Sequence, residues 1–211
     1  MFRKALVAYI FLVSLFMLIA ISCNITGDDC GPFDDTFKTI DFQTDLKSVS
    51  ISDDPFLDVQ YSPLGSDTTA FDTFSITMIP VAESYSLNTG SLKSSSLLPS
   101  AFACSPPIPV SEETITNLEI FSNKNFNSEY ASGDNLAELF EVIFLYRNSG
   151  YQRMDLNDFI TSEANVPDEI FLLLRSAPDT TEPIQFTIEY SQNGIDMDSY
   201  EITTKSIVIT N

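Results

Sequence analysis

The chain has 211 residues, with thirty acidic residues against ten basic ones and no histidine. So acidic a surface argues against binding nucleic acid or anionic lipid headgroups through electrostatics. Without histidine, neither a Ser-His-Asp triad nor a Cys-His pair can form. The 17 Phe and 8 Tyr are too many for a disordered polyanion, so the composition predicts a folded domain.

The N-terminal segment has the layout of a secretory signal. A cationic start at Arg3 and Lys4 precedes an almost continuous apolar run over residues 5–21. The run ends in Ala20-Ile21-Ser22-Cys23, which resembles the lipobox of bacterial lipoproteins. In that pattern, cleavage occurs before a cysteine that carries a diacylglycerol on its sulfur. Ala20 departs from the pattern, where a larger aliphatic residue such as Leu is usual.

This layout predicts a signal peptide at residues 1–22, a lipidated tether at residues 23–32 and a domain at residues 33–211. Lipid on Cys23 would anchor the protein in the cell envelope, with the outer membrane and its surface as the expected location. An uncleaved transmembrane helix is the alternative, but a span needs about 20 apolar residues and residues 5–21 fall slightly short. A soluble secreted protein would leave the position of Cys23 unexplained.

Removal of the signal would leave eight basic and thirty acidic residues, a net charge of −22. It would also leave Cys30 and Cys104 as an even pair, which predicts a disulfide outside the cytoplasm. That bridge would close a loop of about 75 residues and contribute about 2–4 kcal/mol. Two unpaired, buried thiols are the alternative. Three cysteines without histidine argue against a zinc site, and no cofactor is predicted.

The first half of the domain shows short apolar or alternating segments between clusters of Pro, Gly, Asn, Asp and Ser. Phe74, Ile76 and Met78 alternate with polar residues, as in a half-buried strand. Pro80 is expected to end that strand. The predicted strands of this half are residues 37–42, 46–51, 56–61, 74–78 and 81–87. A long polar loop at residues 88–111 then predicts either a disulfide-stapled segment or a boundary between two subdomains.

The second half adds two helical signals. After a strand at residues 115–121, Asp134 is a candidate N-cap for apolar residues spaced along one helical face. One or two helical turns followed by a strand at residues 142–146 are predicted, although one helix to Tyr146 fits the spacing almost as well. Residues 148–154 are expected to form a polar loop, and residues 155–160 a second short helix.

The C-terminal part carries the clearest strand patterns. Residues 170–174 are continuously apolar, which predicts a central strand covered on both faces. Residues 184–190 alternate, and Asn193-Gly194 is a hairpin turn signal. The returning strand at residues 200–209 changes parity, which predicts a bulge or bend near residues 203–205. Together the pattern predicts an antiparallel β-sandwich, immunoglobulin-like in broad architecture, with two short helical insertions.

One cluster of oxygen-bearing side chains follows the hairpin turn. It comprises Asn193, Asp196, Asp198 and Glu201, and such residues are ligands that calcium prefers. The cluster lacks the full spacing of a calcium loop. A solvated acidic hairpin is therefore the simpler interpretation.

Several further motifs accompany Cys23. They are Cys30-Gly31-Pro32-Phe33, Ala103-Cys104-Ser105-Pro106-Pro107, and Ser122-Asn123-Lys124-Asn125-Phe126-Asn127 leading into Gly133-Asp134-Asn135-Leu136-Ala137-Glu138-Leu139-Phe140. Together they resemble a family of uncharacterised lipoproteins from Bacteroidetes-type bacteria, over most of the mature chain. The resemblance supports the anchor and the cysteine pair. It transfers no activity and no catalytic residue.

The sequence therefore favours a non-catalytic envelope lipoprotein. Such a protein would act as a surface module that binds a glycan or an envelope protein, or as a purely structural accessory protein. A carboxylate-dependent glycan-active enzyme is the remaining alternative, because paired carboxylates can cleave glycosides. The sequence offers many carboxylates and distinguishes none of them by its setting. An exposed aromatic patch on the folded domain would favour binding or assembly.

Overall fold

A computed structural model describes residues 36–52, 57–85, 110–147, 149–195 and 198–211. These residues form a mainly β fold, as the sequence predicts, and they belong to one compact unit. The described helical segments are α1 (Leu156–Thr161) and the 3₁₀ turns Phe71–Thr73 and Ala137–Leu139. The described strands are β1 (Thr36–Ser52), β2 (Asp58–Pro63), β3 (Thr68–Ala70), β4 (Phe74–Tyr85), β5 (Val110–Ser111), β6 (Thr114–Ser122), β7 (Phe140–Tyr146), β8 (Gly150–Asp155), β9 (Glu169–Leu174), β10 (Phe186–Asn193), β11 (Asp198–Thr203) and β12 (Val208–Thr210).

The larger sheet has the strand order β2-β1-β4-β9-β7-β8, and β5 pairs with β1 in parallel. Strand β1 runs through both segments that the sequence divides into strands 37–42 and 46–51. It stays continuous because β4 pairs with residues 36–48 and β2 pairs with residues 47–52. The predicted break at residues 43–45 is therefore wrong, and the register shift with β4 lies between Thr39 and Asp41, inside the first predicted strand.

Strand β4 continues through Pro80, so the predicted break at that residue is wrong. On one side, β4 pairs with β1 along most of its length. On the other side, β9 pairs only with residues 75–78. Pro80 therefore lies where β4 is an edge strand, and an edge strand tolerates the missing N–H.

Strand β9 is the buried central strand that the apolar run predicts. It lies between β4 and β7, and residues 170–174 are all buried. The expectation of a half-buried β4 is wrong, because Ser75 and Thr77 are as fully buried as Phe74. Both faces of β4 are covered, so its alternating sequence does not mark a solvent-facing side.

Of the two predicted helices, one forms an α-helix in the described residues. Helix α1 begins at Leu156, close to the predicted start. The segment after Asp134 instead makes the 3₁₀ turn Ala137–Leu139 and enters β7 at Phe140. Asp134 does not cap this turn; its Oδ2 accepts a hydrogen bond from Ala131 N at 2.7 Å. The apolar residues of this segment are taken up by β7, which pairs with both β8 and β9.

A three-stranded antiparallel sheet has the order β11-β10-β6. The predicted strand and the turn signal at Asn193-Gly194 fall in the β10–β11 hairpin. Phe186 lies 5.8 Å from Phe74 of the larger sheet, and Tyr190 lies 4.5 Å from Phe42, measured between ring centroids. One cluster of buried apolar side chains therefore contains residues of both sheets.

The predicted irregularity near residues 203–205 is confirmed, because the β10–β11 ladder pairs Thr187 with Thr203 and the next bridge pairs Ile184 with Ile207, one residue out of step. Strand β11 stops at Thr203, and β12 pairs in parallel with β3 instead of with β10. At the break, Thr204 donates its N–H to Phe186 O and accepts from Phe186 N through Oγ1. The change of parity in the sequence thus marks this one-residue shift, after which residues 208–210 pair with β3.

Three glutamates lie side by side across the smaller sheet. Glu189 of β10 is directly opposite Glu119 of β6 and Glu201 of β11. Like charges directly opposite each other destabilise a sheet. Asn117 and Asn135 donate hydrogen bonds to Glu119, which disperses part of its charge.

We expect Glu189→Gln to raise the free energy of unfolding by about 0.5–1 kcal/mol, because it relieves both cross-strand repulsions. Urea unfolding at low and high NaCl would measure this, and the gain should shrink at high salt. The matched control is Glu129→Gln, the same charge change in an exposed loop. Equal effects of the two substitutions would contradict the interpretation.

Alkaline pH is expected to destabilise the fold through two tyrosines. Burial, followed by the nearby Asp168 carboxylate, raises the pKa of Tyr146 to about 12. Burial, followed by Asp198, raises the pKa of Tyr200 to about 12. The unfolded chain loses these protons near pH 10, its ordinary pKa, whereas the folded chain keeps them. The stabilisation that comes from keeping these two protons is complete below about pH 10 and is lost as the pH rises through about 12.

Urea unfolding across this alkaline range, with phenolate absorbance recorded in parallel, would test the expectation. The decline should be shallower in Tyr146→Phe, although that variant also loses the hydrogen bond from Tyr146 OH to Asn165 O. An unfolding free energy that is level over the range would speak against it.

Candidate binding face

The larger sheet carries a second, smaller apolar cluster on the face opposite the main core. Leu172 of β9 belongs to the main cluster, whereas Phe171 and Leu173 belong to the smaller one. This division follows from the alternation of side chains along a strand. The buried members of the smaller cluster are Val49, Val59, Ile143, Phe171 and Leu173.

Two tyrosines from opposite edges of the sheet meet over Phe171. The ring of Tyr61, on β2, lies 5.2 Å from that of Phe171, and the ring of Tyr151, on β8, lies 6.1 Å from it. In a flat sheet, β2 and β9 would be three strand spacings apart, roughly 14 Å. The larger sheet therefore curves toward this face, and its two edge strands approach each other there.

Charged groups surround these rings. Lys47 Nζ lies 4.3 Å from the centroid of the Tyr61 ring, in cation–π contact. Tyr61 OH donates a hydrogen bond to Glu169 Oε1 at 3.4 Å. Burial, followed by the Glu169 carboxylate, raises the pKa of both Tyr61 and Tyr151. Both phenols are protonated at neutral pH, and the Tyr61 hydroxyl hydrogen is donated to Glu169.

The same face contains buried oxygens that lack partners. Within the described residues, Glu169 Oε2, Ser75 Oγ and Thr77 Oγ1 are buried without a hydrogen bond. Thr77 lies opposite Phe171 in the register, and Ser75 lies opposite Leu173, so these hydroxyls share the face of the smaller cluster. We call the surface around Tyr61, Tyr151, Lys47 and Glu169 the tyrosine face.

The tyrosine face combines an apolar platform with hydrogen-bonding groups. Tyr61 is 40% exposed, unusually high for a large side chain of this fold. A sugar ring can pack its C–H face on such a ring, while its hydroxyls bond to a carboxylate and an ammonium group. The arrangement suits a neutral polyhydroxylated ligand better than a polyanion, which the acidic surface would repel.

Comparison with known proteins found no protein-family model, curated sequence or solved structure that matches this chain significantly. In the described part of the chain, no helix has the length and hydrophobicity that a membrane span requires. The tyrosine face must therefore be interpreted from its own geometry.

Sequence reasoning missed this face for an identifiable reason. Tyr151 falls in residues 148–154, which the sequence predicts to be a polar loop, but residues 150–155 form the edge strand β8. Gly150 opens that strand with φ of 76°, which glycine adopts without strain. Tyr61 does lie in a predicted strand. Its alternation with Val59 was the available signal, but nothing in the local sequence links it to Phe171.

A separate pocket of about 280 Å³ lies where β8 meets α1. Its acidic lining residues are Glu138, Asp155 and Asp158. Because it brings several carboxylates together, this pocket is the part of the described structure that best fits the enzyme alternative. Arg175 forms an ion pair with Asp155, and Tyr130 OH donates a hydrogen bond to Glu138 Oε2 at 3.2 Å. Two of the three carboxylates are therefore already engaged.

The residues singled out in the sequence are only partly described. Cys23, Cys30 and Cys104 lie outside the described residues, as does Asp196 of the calcium candidate. Of the remaining candidate ligands, Asn193 Oδ1 accepts a hydrogen bond from Thr114 Oγ1. Asp198 and Glu201 lie on opposite faces of β11 and are not brought together. The described residues contain no group of three or more His, Cys, Asp or Glu that could hold a metal ion.

Proposed function

We propose that this chain is a non-catalytic, lipid-anchored envelope protein that binds a glycan on the tyrosine face. The supporting observation is the pairing of Tyr61 and Tyr151 over Phe171, beside a carboxylate with one unpartnered oxygen. Few classes of ligand can pack on aromatic rings and also bond to a carboxylate and an ammonium group. A polyhydroxylated ring does, because it presents both C–H and O–H surfaces.

We place this face on a β-sandwich of immunoglobulin-like broad architecture. The contacts of Phe186 with Phe74, and of Tyr190 with Phe42, support the idea that the two sheets pack face to face. The tyrosine face would then lie on the side of the larger sheet that is turned away from the smaller sheet. A ligand bound there would leave the strand framework intact.

The anchor completes the proposal. Lipid on Cys23 and a tether over residues 23–32 would hold the domain near the outer membrane, as in the lipoproteins that the sequence resembles. Mass spectrometry of the protein from its native membrane should then find an acylated peptide that begins at Cys23. Recovery of an intact N-terminal segment in the mature protein would overturn the anchor. Non-reducing peptide mapping should also find Cys30 linked to Cys104, and free thiols at both would overturn the disulfide.

Binding should be tested with the purified full-length protein on an oligosaccharide array, followed by calorimetry of any hit. Tyr61→Ala and Tyr151→Ala are each expected to weaken binding at least about tenfold, which corresponds to about 1.4 kcal/mol. Tyr130→Ala is the matched control, because Tyr130 lies in a loop after β6, away from the smaller cluster. Equal losses in all three variants, or no glycan bound at all, would overturn the proposal.

The enzyme alternative rests on the pocket of Glu138, Asp155 and Asp158. It requires glycan cleavage by the purified protein and loss of that activity in Glu138→Gln or Asp158→Asn. The structural alternative requires crosslinks between the tyrosine face and an envelope protein in intact cells. Either result, without glycan binding, would replace the function proposed here.

A further inference from the structure

A buried carboxylate lies at the start of β6, away from the tyrosine face. Glu113 has no exposed surface. Its Oε2 accepts hydrogen bonds from Thr39 N at 2.6 Å and from Ser111 Oγ at 3.4 Å. Among the described residues, no lysine or arginine forms an ion pair with it. An uncompensated buried charge is strongly unfavourable. An ionised Glu113 carboxylate therefore needs a positive charge close to it.

Several buried oxygens of Glu113 and of strands β1 and β10 lack partners. Within the described residues, Glu113 Oε1, Thr39 Oγ1, Gln192 Oε1 and Tyr190 OH are all buried without a hydrogen bond. Buried polar atoms are rarely left unpaired, and four in one cluster point to a shared partner.

Hydrogen bonds bring two of these strands together at the backbone of Thr39. Gln192 Nε2 donates to Thr39 O at 3.3 Å, and Tyr200 OH donates to the same oxygen at 2.9 Å. The Tyr190 ring lies 6.1 Å from that of Tyr200, measured between ring centroids, so it borders the same point. Burial, followed by the Glu113 carboxylate, raises the pKa of Tyr190. Strands β1 and β10 and the segment before β6 therefore meet at one oxygen-rich point.

The backbone holds Glu113 firmly in this position. A Cβ atom built on Gly194 would lie 2.9 Å from Glu113 Cα and 2.9 Å from Glu112 O. Val166 N donates a hydrogen bond to Glu113 O at 3.1 Å. The main chain of Glu113 is therefore held between Gly194 and Val166.

We propose that this cluster binds one monovalent metal cation of the sodium or potassium type. The ligands are Glu113 Oε1, Gln192 Oε1, Thr39 Oγ1 and Tyr190 OH. Carboxylate, amide and hydroxyl oxygens are hard ligands, which suit alkali and alkaline-earth cations. One carboxylate balances one positive charge, so the buried site is neutral overall with a monovalent ion. A calcium site draws on more carboxylates than this cluster contains.

The thermal unfolding midpoint of the full-length protein tests the site. The midpoint should be compared in sodium, potassium and choline chloride at equal ionic strength, because any salt screens the acidic surface. Sodium or potassium should raise it above the choline value by about 3–6 °C at about ten times the dissociation constant. Glu113→Gln keeps the side-chain shape and should abolish the difference between the salts.

Two further variants keep the test decisive if Glu113→Gln fails to fold. Tyr190→Phe removes one ligand oxygen and should at least halve the difference, whereas Tyr130→Phe, which removes a hydroxyl bonded to Glu138, should leave it unchanged. Equal midpoints in the three salts would overturn the site. So would a sodium effect that persists in Glu113→Gln, or a stabilisation by calcium without one by sodium or potassium.

Discussion

Replacing Phe186 by alanine is expected to lower the free energy of unfolding by about 3–5 kcal/mol, the usual cost of deleting a fully buried Phe side chain. Phe186 has no exposed surface. Its ring lies 5.8 Å from that of Phe74 and 5.9 Å from that of Phe140, so it contacts the larger sheet at two points. Alanine would leave a cavity between strands that cannot collapse freely, because both sheets are held by their own hydrogen bonds.

Urea unfolding followed by far-UV circular dichroism would measure this loss. The matched control is Phe121→Ala, because Phe121 lies on the neighbouring strand β6 and is only partly buried. That variant should cost about 1 kcal/mol or less. Similar losses in both variants would mean that the contact of Phe186 with Phe74 and Phe140 contributes little.

Replacing Gly194 by alanine is expected to cost about 2–4 kcal/mol, from a steric clash added to backbone strain. The new Cβ would lie 2.9 Å from Glu112 O and from Glu113 Cα, and both of these atoms belong to the backbone. No flexible side chain can move aside to relieve the clash. In addition, Gly194 has φ of 141°, a conformation that alanine rarely adopts.

Substitutions at two other glycines separate the steric clash from the backbone strain. Gly133 has φ of 86° but open space around its Cα, so Gly133→Ala measures the strain alone, about 1 kcal/mol. Gly65 has neither a positive φ nor a neighbour within 4 Å, so Gly65→Ala should be close to neutral. The expected order of destabilisation is 194, then 133, then 65. A loss at Gly194 no larger than that at Gly133 would contradict the close approach to Glu113.

Local patterns predicted a good part of this fold. The apolar run at residues 170–174 became the buried strand β9, and alternation at residues 184–190 became part of β10. Turn chemistry at Asn193-Gly194 found the β10–β11 hairpin, and the helix at residues 155–160 appears as α1. In each case the information lies within a few residues, because side-chain period and turn conformation are local properties.

Other predictions failed where a distant strand decides the outcome. Pro80 did not end β4, because β9 does not pair with β4 at that residue and the missing N–H therefore costs no sheet hydrogen bond. The parity change after Thr203 does mark a one-residue shift, but the local sequence did not show that residues 208–210 would then pair with β3. The helical segment predicted after Asp134 is only a 3₁₀ turn, whereas the strand predicted at residues 142–146 is present as β7, which begins at Phe140 because β8 and β9 pair with it there.

The candidate sites show the same division most clearly. The sequence by itself determined the mainly β fold, the acidic character and the absence of histidine chemistry, because these depend on composition and short-range pattern. Only the tertiary structure brought Tyr61 and Tyr151 together over Phe171, and Thr39 next to Glu113 and Gln192. The contacts of Thr39 with Glu113 and with Gln192 join residues that are 74 and 153 positions apart in the sequence. Their formation depends on strand order and sheet curvature, which no local stretch of the sequence encodes.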